Sequence, residues 1–194
     1  MRFIFPRHAP YRQRGFTLLE LAIVVVIAAI LLTLAVPAFN ALIQGSRIDG
    51  DTSALVSDLM LARSEAVKRR GHVGLCASTT GTTCDTNDWS LGWLVYLDAD
   101  SDGALTGATT DCPPTPTATA DCILREHAAI SDGNELGVNP TISQLAFRPD
   151  GTVRDVATIE QFEVCTSRAI LDDRERVIRV EVSGHVAQEA YTCE

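Results

Sequence analysis

The chain begins with a segment in which hydrophobic and polar residues are fully separated. Residues 21–36 read LAIVVVIAAILLTLAV, with no charged residue and one hydroxyl. About 20 apolar residues in a helix are enough to span the hydrocarbon of a bilayer. Glu20 adjoins this run and Pro37 follows it. The pattern predicts a membrane anchor over about residues 18–39.

A different pattern follows the anchor. Apolar residues recur mostly every three or four positions, with charged residues largely between them, as in an amphipathic helix with one face for a core. The predicted core-facing residues are Phe39, Leu42, Ile43, Ile48, Leu55, Leu59, Ala62 and Ala66. Pro37 is expected to kink the helix rather than end it. Gly71, after three cations, is expected to end it. The helix is thus predicted over roughly residues 17–70, with Gly45 and Gly50 as candidate breaks.

The remainder of the chain has the pattern of strands. Short runs alternate or are rich in β-branched and aromatic residues, and turn signals separate them. The predicted strands are His72–Ala77, Gly92–Leu97, Cys122–His127, Gln144–Arg148, Phe162–Cys165 and Val177–Val182. Residues 106–121, rich in Thr, Ala and Pro, are predicted to form a surface loop. The predicted fold class is α+β, with residues 16–70 as a long N-terminal helix packed on an antiparallel β-sheet domain at residues 71–194.

Charge divides the chain at the same place as hydropathy. Residues 1–15 contain four arginines and no acid, so that without them the net charge changes from −9 to about −13. Lys and Arg before an apolar run favour retention of that cationic segment in the cytoplasm. The sequence therefore predicts a cytoplasmic N-terminus, one membrane pass and an exported acidic domain.

All six cysteines lie in the part predicted to be exported: Cys76, Cys84, Cys112, Cys122, Cys165 and Cys193. An even number of cysteines outside the cytoplasm indicates disulfides. Zinc sites need closely spaced pairs that this chain lacks. Sequence alone does not determine the connectivity. We expect near neighbours to pair, as Cys76–Cys84, Cys112–Cys122 and Cys165–Cys193.

The residues before the anchor resemble a processing signal. The stretch from Arg14 to Glu20, RGFTLLE, is similar to the leader junction of type IV prepilins and type II secretion pseudopilins. The resemblance implies that a prepilin peptidase removes residues 1–15 by cutting after Gly15, and that the new N-terminal residue, Phe16, is N-methylated. Glu20 then becomes the fifth residue of the mature chain. Pro37 matches a proline that is frequent at mature position 22 in the family.

Glu20 is costly at the edge of a membrane, because an acid inside hydrocarbon costs on the order of 2.5–3.5 kcal/mol on insertion scales. Cleavage would create an amine at Phe16, and this amine on one subunit would pair with Glu20 of another during assembly. Alternatively, the Glu20 side chain reaches the lipid interface and has no partner. We favour the pairing.

A second resemblance covers nearly the whole chain. The stretch LARSEAVKR at residues 61–69, the strand with Cys76, GWLVYLD at residues 92–98 and ILR at residues 123–125 resemble the GspH/FimT group. The resemblance implies a minor pilin or pseudopilin in a type II secretion pseudopilus or a type IV pilus, with other pilins as partners. The alternative is a DNA-binding minor pilin for DNA uptake. The corresponding C-terminal stretch, Gly184-His185-Val186-Ala187-Gln188, lacks the arginines of that DNA-binding motif, and the net charge opposes DNA binding.

Two further kinds of chemistry are weighed. Asp98, Asp100 and Asp102 precede Gly103 at the spacing of the first half of an EF-hand calcium loop, but the twelfth position is Thr109 instead of Glu. A hydrated turn explains the same residues and is favoured, with a weak calcium site as the alternative. The four histidines are scattered and no hydrolase, metalloprotease or phosphate-loop motif is present. The chain is therefore predicted to be a peptidase substrate and not an enzyme.

Overall fold

The computed structural model of the chain describes residues 15–110, 112, 120–154, 160–167 and 175–193. The leader before Gly15 lies outside these residues. Within them the chain forms one long helix, α1 (Leu18–Arg69), a short 3-10 turn (Trp89–Leu91) and eight strands. The strands are β1 (His72–Ala77), β2 (Gly92–Asp98), β3 (Cys122–Ala128), β4 (Asn134–Asn139), β5 (Gln144–Phe147), β6 (Glu160–Thr166), β7 (Arg176–Val180) and β8 (Val186–Ala190).

The chain divides into two compact units, residues 1–39 and 40–194. In the described part of the first unit, the large apolar side chains whose exposure is known are between 52% and 86% exposed. Residues 18–39 belong to α1, the one helix among the described residues that is long and apolar enough to cross a membrane. A helix that is apolar on every side needs an apolar surrounding. The first unit therefore has the composition of the predicted anchor.

In the second unit, α1 presents one face to a core. Ile48, Leu55, Leu59, Ala62 and Ala66 are fully buried, as predicted. The prediction was wrong at the start of this face, where the structure exposes Phe39 (62%), Leu42 (55%) and Ile43 (38%).

The inward positions at that end belong instead to Ala41 and Gln44. The Gln44 side chain donates to Asn134 Oδ1 at 2.5 Å and to Thr166 Oγ1 at 3.0 Å, so a polar residue replaces the expected apolar one. The helix also continues without a break through Pro37, Gly45 and Gly50. A glycine costs a helix roughly 1 kcal/mol, which the burial of neighbouring apolar side chains offsets.

The strands form two antiparallel sheets in place of the single sheet predicted from the sequence. The first has the order β3-β2-β1-β5 and the second β4-β6-β7-β8. Strands β4 and β8 were not predicted, and both are edges of the second sheet. The buried face of α1 and side chains of both sheets share one hydrophobic cluster, which includes Trp89, Trp93, Phe147, Phe162 and Ile178.

The first sheet is covered on its other face as well. Cys76, Leu94 and Tyr96 form a second buried cluster, against which Leu105 and Ile123 pack. This second cover explains why every residue of β2 is buried.

Three disulfides join the cysteines in the predicted near-neighbour pairs, Cys76–Cys84, Cys112–Cys122 and Cys165–Cys193. The first ties the segment after β1 back to that strand. The second connects the predicted surface loop, of which residues 111 and 113–119 lie outside the described part, to the start of β3. The third attaches the C-terminal segment to β6. Each bond thus restrains a segment that has little regular structure of its own.

Candidate processing and assembly site

The first turn of α1 is set by Thr17. The Thr17 hydroxyl accepts a hydrogen bond from the Glu20 amide at 3.2 Å, and the Thr17 carbonyl accepts from the Leu21 amide at 3.1 Å. A threonine in this position caps a helix, because its side chain satisfies an amide that has no partner within the helix. Glu20, three residues later, lies in the first turn, where the helix dipole favours a negative charge. The sequence pattern T-x-x-E could have revealed this cap.

The structure places the predicted site residues together at the start of α1, all of them exposed. Phe16 is 83% exposed, and Gly15 and Glu20 are also exposed. Within the described residues, the Glu20 carboxylate has no ion pair and no hydrogen-bond donor. A side chain added at Gly15 would meet nothing within 4 Å. Apart from the favourable position of Glu20 in the helix dipole, contacts among the described residues give neither Gly15 nor Glu20 a structural role.

The acidic loop after β2 is a compact turn. Asp98 is 1% exposed, and its Oδ2 accepts from the Gly103 amide at 3.0 Å and lies 3.2 Å from Arg154 Nη1. Burial raises the pKa of Asp98, against the opposing effect of the Gly103 amide. Gly103 has a φ of +90°, which favours glycine at this position. A strand, not a helix, precedes the loop, as predicted.

The cations near the end of α1 have structural partners. Lys68 Nζ lies 2.9 Å from Glu65 Oε1, and Arg69 also pairs with Glu65. Arg63 donates to the Gly151 carbonyl at 3.1 Å and to the Ser183 carbonyl at 3.3 Å. These contacts account for Arg63, Lys68 and Arg69 without a nucleic acid.

Two arginines of β7, Arg176 and Arg179, and the turn after β7 also have structural explanations. Arg176 lies 3.3 Å from Asp49, and Arg179 lies 3.4 Å from Glu189. Gly184 has a φ of +76°, and a Cβ there would collide with the Gly151 carbonyl oxygen. Gly184 therefore serves a tight turn between β7 and β8, and no contact of the described residues favours DNA binding.

Two comparisons with protein families agree with this arrangement. Residues 51–184 match the family described as Type II transport protein GspH, and residues 10–36 match the prokaryotic N-terminal methylation motif. No curated protein matches the chain.

Two solved structures share the fold. Both are crystal structures of the type IV minor pilin FimU of Pseudomonas aeruginosa strain PAO1. The crystal in space group P21 is 19% identical, with a TM-score of 0.53, over 74% of this chain and 89% of FimU. The crystal in space group P65 is 20% identical, with a TM-score of 0.50, over 73% of this chain and 91% of FimU. Identity at this level shows a common α+β fold.

A long N-terminal helix with a methylation motif and a sheet domain of this fold define a pilin-like protein. The GspH match extends over more than half of the chain, and the chain belongs to the GspH family. Its role is that of a minor pilin or pseudopilin, a class of structural subunits.

Proposed function

We propose that the chain is made as a precursor in the bacterial inner membrane and is then cleaved between Gly15 and Phe16 by a prepilin peptidase. Phe16 is N-methylated, and the mature chain, residues 16–194, assembles with other pilins or pseudopilins into a pseudopilus or pilus. Its contribution is structural and not catalytic. The observation that carries the proposal is the exposed Glu20 carboxylate. It has no partner among the described residues and lies at the start of a helical segment whose apolar side chains are exposed.

Charge and cysteine chemistry support the orientation in the membrane. The four leader arginines precede the apolar run, and Lys and Arg resist translocation. The three disulfides belong to an oxidising compartment. The leader is therefore cytoplasmic, residues 18–39 cross the inner membrane, and residues 71–194 are periplasmic.

The chemistry of Glu20 links cleavage to assembly. Cutting before Phe16 creates an ammonium group next to the apolar helix, four residues from the carboxylate. Both charges are costly when apolar helices pack together, and pairing Glu20 of one subunit with the Phe16 amine of a neighbour offsets both costs. Removing one partner of a buried ion pair typically costs about 3–5 kcal/mol. Uncleaved chains have no such amine and cannot form this pair.

Gly15 also supports cleavage at this junction before assembly. A side chain at this position would have open space among the described residues, so any requirement for glycine here comes from a partner that binds the junction. A peptidase that must bring the Gly15–Phe16 bond close to its catalytic groups supplies that requirement.

The test compares wild type with Glu20→Ala in the native host. We expect mass spectrometry to show the same processed and methylated N-terminus in both, and the amount of Glu20→Ala in the sheared-filament fraction to fall at least tenfold. Thr33→Ala is the matched control, because the Thr33 hydroxyl donates to the Ile30 carbonyl of its own helix at 2.7 Å. Gly15→Val supplies an uncleaved reference.

Two outcomes would contradict the proposal. If the Phe16 amine does not appear in the wild-type protein, the cleavage proposal is wrong. If Glu20→Ala is processed normally and enters filaments as well as Thr33→Ala does, the pairing proposal is wrong and the carboxylate has another role.

A further inference from the structure

Three aspartates at the end of β2 bring their carboxylates together. One oxygen from each of Asp98, Asp100 and Asp102 lies within 4.8 Å of the other two. The loop is held in this form by its own amides, since Asp100 Oδ1 accepts from the Asp102 amide at 3.1 Å and Asp102 Oδ1 accepts from the Ala104 amide at 2.8 Å. Such turns are common, and the cluster alone does not define a site.

An independent observation concerns two buried carboxylate oxygens. Asp98 Oδ1 and Glu160 Oε2 have no hydrogen-bond donor within the part of the chain that the structure describes. Asp98 is 1% and Glu160 is 3% exposed. A buried acceptor without a partner is unfavourable, and more so if it is charged. Buried carboxylates normally have donors or a cation, so these two oxygens point to a partner of opposite charge that the described residues do not supply.

Glu160 and the aspartate loop border one cavity. A space of about 270 Å³ is lined by Asp102 and Gly103 of the loop, by Glu160 at the start of β6, and by Arg154 and residues of β5. Glu160 is 58 positions away from Asp102 in sequence, so the fold alone brings them together. The cavity is large enough for an ion and several waters.

Arg154, the described cation beside the loop, does not balance the negative charge there. Arg154 Nη1 contacts Asp98 Oδ2 and not Oδ1. Asp121 is also buried here, but its two oxygens accept from the Ala99 amide at 2.8 Å and the Thr106 amide at 2.7 Å, so it organises the loop. Among the described residues at this place, four carboxylates then face one guanidinium: those of Asp98, Asp100, Asp102 and Glu160.

We propose that this loop and the adjoining cavity bind one calcium ion, with Asp98 Oδ1, Asp100 and Asp102 as ligands and Glu160 as a further buried negative charge. The ligand atoms of these carboxylates are all oxygens, which hard cations prefer. Calcium accepts irregular sets of oxygen ligands, whereas magnesium requires near-ideal octahedral geometry. Zinc prefers nitrogen and sulfur, and the cluster contains neither.

The affinity follows from the missing half of the EF-hand pattern. Thr109, at the twelfth position, forms a β-bridge with Cys122 and cannot replace the bidentate glutamate. A site with fewer charged ligands falls in the weak range of extracellular calcium modules, with Kd of about 10⁻⁴–10⁻³ M. Such a site would be occupied in a calcium-rich exterior and vacant in the cytoplasm.

The test uses the purified full chain in detergent. Equilibrium dialysis with radioactive calcium should give about one ion per chain, and Tm should rise by about 3–5 °C at ten times the Kd. Asp100→Asn combined with Asp102→Asn should remove both effects, because two of the proposed ligands lose their charge. Both aspartates are exposed, so the double variant should leave the core intact. Asp150→Asn is the matched control: Asp150 is an exposed aspartate that precedes a glycine in another turn and accepts from the Thr152 amide at 2.9 Å.

Each remaining outcome decides one part of the proposal. The proposed site is wrong if no calcium binds at about ten times the upper end of the expected Kd range, or if binding persists in the double variant. An equal Tm shift with magnesium overturns the choice of calcium. Glu160→Gln should weaken binding about tenfold, and unchanged binding would remove Glu160 from the site. The measurement uses isolated chains, so its result is independent of cleavage and filament assembly.

Discussion

Leu31 and Leu59 are the same residue on the same helix, yet Leu31 is 61% exposed and Leu59 is 0% exposed. Burial of a leucine side chain is worth about 1.5–3 kcal/mol. The second unit collects this free energy within the chain, where Leu59 packs in the shared core. The first unit cannot, and its apolar helix must be stabilised by lipid or by helices of neighbouring subunits.

Two carboxylates of α1 repeat this difference. Asp58 is 2% exposed and accepts from Trp93 Nε1 at 2.9 Å and from Arg125 Nη1 at 2.7 Å. Glu20 is exposed and has no such partner among the described residues. The second unit therefore gives Asp58 its partners within the fold, whereas the described residues give Glu20 none. Under the proposed function, a folding role and an assembly role are divided between the two ends of one helix.

The largest expected effect tests the two leucines. Leu59→Ala should lower the free energy of unfolding of the second unit by about 2–5 kcal/mol, because it leaves a cavity in a close-packed core. Leu31→Ala should leave that free energy unchanged. Chemical denaturation of the detergent-solubilised chain, followed by the fluorescence of the buried tryptophans Trp89 and Trp93, measures both variants. Equal destabilisation by the two substitutions would contradict the division into independent units.

The next effect tests the two carboxylates. Asp58→Ala leaves the buried indole N–H of Trp93 without an acceptor, and a buried unpaired donor costs about 1–3 kcal/mol. We expect a loss of unfolding free energy in this range, measured by the same denaturation experiment. The half-exposed Arg125 regains water and adds little. Glu20→Ala is the matched control and should not change the stability of the second unit. A neutral Asp58→Ala would show that this network does not hold α1 against the first sheet.

The elements that sequence predicted well are those with strong local patterns. The apolar run, the core face from Ile48 to Ala66 and the central strands β1 and β2 all follow from hydrophobic periodicity. Strands β4 and β8 were missed because they are edge strands with polar composition. In β8 most side chains are exposed, and the strand exists through its backbone pairing with β7. Edge pairing of this kind leaves little trace in the sequence.

The two candidate sites differ in the same respect. Gly15, Phe16 and Glu20 are contiguous, so the sequence contains the whole processing motif. The acidic loop was visible as Asp98, Asp100 and Asp102, but Arg154 and Glu160 come from distant parts of the chain. The folded arrangement of the two sheets brings these residues to one cavity. The local sequence around the aspartates does not indicate that Arg154 and Glu160 lie nearby.

The smallest expected effect concerns a third carboxylate of α1, Glu65, which belongs to the second unit. Hydrogen bonds from Arg69 and then Lys68 lower the pKa of Glu65 below its usual value of 4.5. A lowered pKa means that the ionised carboxylate stabilises the fold above about pH 4.5, and that this contribution disappears as the pH falls through the folded pKa.

Glu65→Gln should therefore lower the free energy of unfolding at neutral pH by about 0.5 kcal/mol, since helical ion pairs near the surface are partly screened. The difference from wild type should shrink below about pH 4.5 and at high salt. Denaturation curves at several pH values test this, with Glu135→Gln on the exposed side of β4 as the control. A difference that persisted in acid would mean that the ionised form of Glu65 is not what stabilises the fold, and that the second unit does not depend on this pair of cations at the end of α1.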